Sequence, residues 1–305
     1  MSRRWTPPPW LVLAIGILAV STASLFIRYA QQEAPSPTIA AYRLALATLI
    51  LTPWFWKHRA DWRAFSRATW AWALLSGALL ALHFLAWITS LEYTTVASSV
   101  VLVTTTPLWV ALFSFFLLRE QLARPLLVGL LVAFAGGVLM ALGDVGSPPP
   151  LAGPTHLFGL PAVLVGDLLA LVGAWAAAGY LMVGRHLRKR MPFPVYLFVV
   201  YGTAAVLNWG FVGLRGLPWK GFSPSTYLWL VLLGLIPQLI GHSSFNWALR
   251  HLPTTAVAAH LLGEPVGSTL LALVFLGEKP PALSLAGAAL VLVGLVRIAQ
   301  HLETE

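Results

Sequence analysis

The stretch LPAVLVGDLLALVGAWAAAGYLMVG, residues 160–184, contains a single charged side chain, Asp167, in 25 positions. As a helix it would be about 37 Å long at about 1.5 Å per residue, whereas the hydrocarbon core of a bilayer is about 30 Å thick. The stretch therefore predicts a helix that crosses a membrane. Similar apolar segments recur along the whole chain, and this recurrence decides the fold class.

Ten apolar segments are long enough to be membrane spans. They cover residues 10–29, 38–56, 69–90, 95–118, 125–142, 160–184, 194–214, 226–248, 254–276 and 282–299. Only 10% of the chain is charged and 58% is hydrophobic, whereas soluble domains carry about 25% charged residues. The surplus apolar surface must face lipid, so we predict an all-α integral membrane protein with ten transmembrane helices.

The first segment follows Arg3 and Arg4, as the apolar region of a signal peptide would. However, it runs from Trp10 to Tyr29, which is longer than a typical signal-peptide core, and many similar segments follow it. We interpret it as the first span.

The basic residues give the chain a net charge of +9, but they lie mostly in short gaps between apolar segments. This distribution argues against nucleic-acid binding. If the N-terminus is inside, the inner loops hold fourteen Lys and Arg residues and the outer loops hold three. Positive loops stay in the cytoplasm, so we predict a multi-pass protein of the cell (inner) membrane with both termini cytoplasmic and the lipid bilayer as its surroundings.

The two halves of the chain resemble each other. A shift of 158 positions places Pro107 on Pro265 and Glu120 on Glu278, and the same shift aligns further Gly, Leu and Val positions. We predict a first repeat over residues 1–145, a Pro/Gly-rich linker over 146–159 and a second repeat over 160–305. Each half has five spans, so the repeats are expected to be inverted, a common design in transporters. The alternative is a duplication without mechanical consequence.

Three motifs carry a family resemblance: LEYTT (91–95) before the fourth span, GEPV (263–266) in the ninth and LGEK (276–279) at its end. On these motifs the sequence resembles the EamA family of the drug/metabolite transporter superfamily. The resemblance implies ten helices, a central cavity formed mainly by spans 1, 3, 4, 6, 8 and 9, and export or exchange of small metabolites. One departure is Thr106, which stands where Glu264 occupies the equivalent place in the second half.

Glu264 is the most distinctive candidate for a binding residue. It lies inside a span, where an ionisable group costs about 2.5–3.5 kcal/mol on insertion scales and usually faces protein or water. The following Pro265 has no N–H, so the Leu261 carbonyl loses its helical donor. A carboxyl group beside such a break can bind a cation, an amine or a proton, or it can make a structural hydrogen bond across the break. His260 lies one helical turn earlier.

Polar side chains at helical spacing mark other spans. Those of span eight recur every four residues and are predicted to share one face. They would line a cavity or bond to neighbouring helices, and the threonines before Pro107 would contact substrate or bond back to carbonyls. The predicted substrate-binding residues are His83, Trp87, Thr105, Thr106, Gln238, His242, Asn246, His260 and Glu264. Arg28, Arg43 and Asp167 are interpreted as structural, with Asp167 paired with one of the arginines.

These patterns predict a secondary transporter of small organic metabolites, such as amino acids, related compounds or drugs. The halves would rock about a midplane site between spans 3, 4, 8 and 9, and Glu264 or a histidine would bind a coupling proton. The sequence contains no Walker A motif, no His-Glu-x-x-His, no Gly-x-Ser-x-Gly and no cysteine. We therefore expect neither an enzyme nor a cofactor or metal. The alternatives are a channel and, after it, a membrane-embedded enzyme. Substrate, direction, coupling ion and oligomeric state stay open.

Overall fold

The computed structural model describes residues 8–58, 65–118, 124–144, 151, 154–188, 190–252, 257 and 260–303. Most of these residues are helical. The α-helices are α1 (Pro9–Ser21), α2 (Ala23–Ala30), α3 (Ser36–Lys57), α4 (Arg67–Tyr93), α5 (Val96–Val103), α6 (Thr106–Leu118), α7 (Arg124–Asp144), α8 (Ala162–Arg188), α9 (Phe193–Leu214), α10 (Pro224–Leu233), α11 (Ser243–Ala248), α12 (Glu264–Leu271) and α13 (Ala282–Glu303). Two π-helical segments, Gly234–His242 and Ala272–Leu276, and a 3-10 turn, Leu261–Gly263, complete the helical part.

Seven helical segments are long and apolar enough to cross a membrane. They are Pro9–Ala30, Ser36–Lys57, Arg67–Tyr93, Val96–Phe113, Ala162–Arg188, Phe193–Leu214 and Pro224–Ala248. The shorter apolar helices Leu131–Gly143, Glu264–Leu276 and Ala282–Arg297 fall within or close to the other three predicted spans. The expectation of a multi-pass helical membrane protein is confirmed, while the count of ten spans stays a prediction.

Several predicted spans are interrupted rather than continuous. The fourth breaks at the turn Thr104–Thr105 between α5 and α6, and the eighth contains the π-helical segment Gly234–His242. Pro237 lies inside that segment and can neither donate a hydrogen bond nor fit against the preceding turn of a regular α-helix. A wider π turn accommodates it, and such turns are frequent at functional sites.

A small hairpin, which the sequence analysis did not predict, lies at the end of the predicted linker. Strands β1 (His156–Leu157) and β2 (Leu160–Pro161) pair antiparallel. The two turn residues, Phe158 and Gly159, both have positive φ angles, of 53° and 79°, as in a type I′ turn. Part of the linker lies outside the described residues.

Helices α7 and α13 approach each other closely through glycines. A Cβ atom on Gly136 would lie 2.7 Å from the carbonyl oxygen of Gly287, and one on Gly294 would lie 2.6 Å from that of Gly129. Small residues of this kind let membrane helices pack backbone against backbone. The four-residue spacing of Gly129, Ala133 and Gly137 predicts a small face in span five, but a Cβ on Gly137 would meet nothing closer than 3.8 Å. Gly136 makes the contact instead.

In span six the four-residue spacing of Gly166, Ala170, Ala174 and Ala178 predicts a small face for close helix contact, and this face is buried. Ala170, Ala174 and Ala178 of α8 are fully buried, and α8 packs along α4. At the start of the same face a Cβ on Gly166 would lie 2.9 Å from the backbone nitrogen of Thr94. This contact brings the beginning of α8 against the α4–α5 connection.

A carboxylate ties the connection after α2 to the start of α10. Glu33 accepts hydrogen bonds from the backbone N–H of Ser223, at 2.7 Å, and from the hydroxyl of Thr226, at 3.0 Å. These bonds favour the ionised form, so the pKa of Glu33 is lowered, mainly by the Ser223 backbone.

We expect the Gly136→Ala substitution to lower the free energy of unfolding by about 1–3 kcal/mol, because overpacking forces backbones apart. The control is Gly210→Ala, since a Cβ there meets nothing within 4 Å and alanine is the better helix former. Thermal unfolding in detergent measures both. Equal melting temperatures for the two variants would show that the α7–α13 contact is not tight.

Candidate functional site

A small cavity lies between helices from both halves of the chain. Its volume is about 40 Å³, which holds roughly three water molecules. The lining residues are His83, Trp87, Val103, Thr104, Thr106, Ala177, Tyr180, Leu181, His242, Phe245, Leu261 and Glu264. They come from α4, the α5–α6 break, α8, the end of the first π segment with α11, and the start of α12. A metabolite would need a wider conformation than this one.

Three aromatic rings form one wall of the cavity. The His83 ring lies 5.9 Å from Trp87 and 6.1 Å from His242, measured between centroids. His83 Nδ1 is 3.0 Å from the carbonyl oxygen of Gly173 on α8. Because a carbonyl can only accept, Nδ1 carries the hydrogen in this contact. The bond fixes the ring orientation, and Trp87 Nε1 has no hydrogen-bond partner among the described residues.

Glu264 brings a carboxylate to the same cavity. It is the first residue of α12 and follows the 3-10 turn Leu261–Gly263, so the helix break that was expected at Pro265 is present. The side chain is only 7% exposed and lines the cavity. Within the described part of the chain, no hydrogen-bond donor contacts its carboxylate, and the predicted structural hydrogen bond across the break is not seen there.

Arg43 is the buried cation next to this site. Its side chain is completely buried, and its Nε donates to Gln238 Oε1 at 2.7 Å. The guanidinium carbon lies 4.2 Å from the centre of the Phe84 ring and 5.8 Å from that of Trp87. Neither Nη1 nor Nη2 has a hydrogen-bond partner in the described residues. Glu264 is the carboxylate whose charge acts on Arg43.

The pairing of Asp167 with Arg43 or Arg28 stays a prediction, but the bonds of these residues show other partners. Asp167 Oδ1 accepts a hydrogen bond from the Thr94 hydroxyl at 2.7 Å, and Arg43 instead bonds to Gln238. Arg28 forms an ion pair with Glu278, with Nη2 and Oε1 at 3.0 Å. The sequence alone could not assign these partners, since each pair joins residues far apart in the chain.

The predicted threonines lie at the helix break and bond to backbone. Thr105 donates to the carbonyl of Leu102 at 2.6 Å, and Thr106 donates to that of Val103 at 3.0 Å. Thr106 lines the cavity, whereas Thr105 lies on the wall of a separate lipid-side pocket. The alternative that these hydroxyls bond back to carbonyls at the kink is thus the one seen.

Three polar residues recur every four positions in span eight, namely Gln238, His242 and Asn246. Of these three, His242 alone lines the cavity. Gln238 and Asn246 are fully buried behind it, where Asn246 Nδ2 donates to the His242 carbonyl at 2.7 Å and to the Tyr201 hydroxyl at 3.4 Å. The predicted common face assumed a regular α-helix, and the π turn changes the rotation per residue. His260 is half-buried and lies outside the cavity lining.

The sequence analysis did not select two residues of this region, Tyr180 and Arg43, as binding residues. Tyr180 lines the cavity, and its hydroxyl has no hydrogen-bond partner in the described part of the chain; nothing in the apolar run around it marks it. Arg43 did carry a signal, because a charge within a span is by default a functional candidate.

The comparison with protein families fits this architecture. The sequence matches the EamA-like transporter family twice, over residues 8–142 and 164–300. The chain belongs to this family. As an EamA-like transporter it is a multi-pass membrane protein that moves solutes, which accounts for a cavity with polar groups held between apolar helices.

Several relatives extend over nearly the whole chain. An uncharacterized transporter of Archaeoglobus fulgidus is 25% identical over 295 residues, covering 93% of this chain and 95% of the relative. The pseudopaline exporter CntI of Pseudomonas aeruginosa is 24% identical, with 95% of each chain covered. A probable terminal-alkyne amino-acid exporter of Streptantibioticus cattleyicolor is 40% identical, but over only 68 residues and 22% of this chain.

A solved structure has a similar fold, and this similarity bears on the fold and not on the function. It is a crystal structure of a protein of 21% sequence identity that superimposes with a TM-score of 0.67 and covers 97% of this chain and 98% of its own.

We expect the Gln238→Leu substitution to lower the free energy of unfolding by about 1–3 kcal/mol, because a buried charged donor loses its hydrogen-bond acceptor. In the double variant Arg43→Met with Gln238→Leu the buried charge is gone, so the loss should be smaller than the sum of the two single losses. Thermal unfolding of the three variants in detergent measures the coupling. Additive losses would contradict it.

Proposed function

We propose that this EamA-like transporter moves small organic metabolites, such as amino acids, related compounds or drugs, as an exporter or exchanger by alternating access. The observation that carries the proposal is the cavity between helices of both halves, with the buried Glu264 on its wall. Trp87 Nε1 and the Tyr180 hydroxyl offer it further polar groups without partners in the described chain. The relative named as a pseudopaline exporter favours export, and the one named as a probable terminal-alkyne amino-acid exporter favours solutes of the amino-acid class.

The proposal includes ten spans in two inverted repeats. Under the 158-position shift, Gly136 corresponds to Gly294 and Gly129 corresponds to Gly287. The close contact of Gly136 with Gly287 therefore corresponds to that of Gly294 with Gly129. Such a correspondence is expected of two halves related by a twofold axis in the membrane plane. Helix α1 packs on the first π segment, so spans one and eight are in contact, and α8 packs on α4, so spans six and three are in contact. The same axis exchanges these two contacts, because it relates span one to span six and span three to span eight.

The orientation follows the charge distribution. Fourteen basic residues in one set of loops against three in the other favour cytoplasmic termini in a cell (inner) membrane. In that orientation the end of α2, the α4–α5 connection and the residues after the second π segment all lie at the outer side.

An ion pair joins those outer ends. Arg28 Nη2 contacts Glu278 Oε1 at 3.0 Å and donates to the Thr94 carbonyl at 2.9 Å. The other oxygen of Glu278 accepts from the backbone N–H of Val96, at the start of α5, at 2.8 Å. The carboxylate of Glu278, two residues after the second π segment, thus contacts both α2 and the start of α5. We interpret this cluster as the outer closure of the present conformation.

The test is reconstitution into liposomes with a metabolite library, with and without a pH gradient. Saturable counterflow supports a carrier, and flux without saturation or counterflow would indicate the alternative, a channel.

In the same assay, we expect Glu264→Gln to abolish the response of flux to the pH gradient, because the amide cannot take up the coupling proton. The matched control is Glu33→Gln, which removes an outer-loop carboxylate far from the cavity and should leave coupling intact. Undiminished coupling in Glu264→Gln would remove Glu264 as the proton site.

The outer closure predicts a reversible block of transport. The natural chain has no cysteine, so the double variant Arg28→Cys with Glu278→Cys offers only two thiols to a cleavable bifunctional reagent. Cross-linking should stop counterflow, and reduction of the linker should restore it. Each single variant treated with the same reagent is the control, and full transport by the cross-linked double variant would show that these ends do not separate.

A further inference from the structure

Arg43 and Glu264 are opposite charges in one buried region that do not form an ion pair. Arg43 is fully buried and Glu264 nearly so. They act on each other electrostatically, yet no nitrogen of Arg43 is bonded to the carboxylate. A buried cation without a direct counter-ion is costly, by several kcal/mol in general. Something other than a paired anion holds this guanidinium in place.

The contacts of Arg43 orient the group and leave two donors unused. Gln238 takes the Nε hydrogen, and the ring of Phe84 lies against the guanidinium at 4.2 Å. The nitrogens Nη1 and Nη2 remain without partners in the described chain. Guanidinium groups present their donors in a planar fork that matches the two oxygens of a carboxylate. The site is thus arranged for an anion that is not part of the protein.

Trp87 connects this group to the cavity. Its ring lines the cavity and lies 5.8 Å from the guanidinium carbon. A rotation of this one side chain, as the cavity widens to admit a metabolite, would bring Arg43 into contact with the cavity contents.

We propose that Arg43 binds the carboxylate of the transported metabolite and so determines which solutes are carried. This assignment rests on the proposed function of the cavity as the transport site. Glu264 on the cavity wall repels a second carboxylate and attracts an ammonium group. Monocarboxylates, and above all those that also carry an amine, are therefore preferred over dicarboxylates and over amines that lack a carboxylate.

The experiment is counterflow in liposomes with a matched panel of probes. For each common amino acid the panel contains the amino acid, its decarboxylated amine and its deaminated acid. The wild type should exchange carboxylate-bearing probes and discriminate against the corresponding amines by at least about tenfold, as expected for a charge-assisted bond. In Arg43→Gln the half-saturation concentration for the acids should rise by at least about tenfold and this discrimination should vanish.

Two further variants separate binding from folding. Arg43→Lys keeps the charge but loses the planar fork. Its discrimination between acids and amines should therefore be weaker than that of the wild type and stronger than that of Arg43→Gln. If Arg43→Gln does not fold, Arg43→Lys still provides the test. Arg185→Gln removes an exposed arginine at the end of α8 and should behave as the wild type.

The outcomes distinguish the two proposals. Equal exchange of acids and amines by the wild type, or unchanged discrimination in Arg43→Gln and Arg43→Lys, would overturn the assignment of Arg43 and leave transport standing. If the wild type exchanged neither this panel nor any member of the metabolite library in a saturable way, the transport proposal itself would fail.

Discussion

The bilayer interior supplies no water, and this constraint governs every part of the molecule. Each backbone polar group in a span must find its partner within the protein, so the spans are helices. At two departures from the regular α-helix, other groups of the protein lie against the backbone. At the α5–α6 break the hydroxyls of Thr104, Thr105 and Thr106 bond to nearby carbonyls. The π segment around Pro237 lies against α1 and α3, not against lipid alone.

The same constraint explains how the helices are held together. Since lipid tails are as apolar as leucine side chains, packing and small residues must provide the attraction. The glycines of α7 and α13 permit backbone contact at two places, and the alanine face of α8 permits close packing along α4. Rigid contacts of this kind let a group of helices move as a unit, as the proposed alternating access requires.

Three buried arginines show three ways to hold a charge in this environment. Arg28 pairs with Glu278 at 3.0 Å. Arg188 donates to the carbonyls of Met191, at 2.8 Å, and Asn246, at 3.3 Å, and stacks on Phe193. Arg43 has one amide partner and an aromatic face, and two of its donors remain unused in the described chain. Arg28 also has two donors without partners in the described chain, Nε and Nη1, but it has a counter-ion. Arg43 has no carboxylate bonded to it in the described chain, and it adjoins the cavity through Trp87.

The sequence by itself determined the membrane class, the positions of the apolar segments and the family, because hydropathy, charge and short motifs are local properties. It also singled out Glu264, His83, Trp87 and His242, since polar groups within apolar runs stand out without any knowledge of the fold. Only the tertiary structure decided that Gln238 accepts a hydrogen bond from Arg43, 195 positions away along the chain. It also decided that Gln238 and Asn246 do not line the cavity. Contacts between distant helices depend on the rotation and depth of each helix, and a local pattern carries neither quantity.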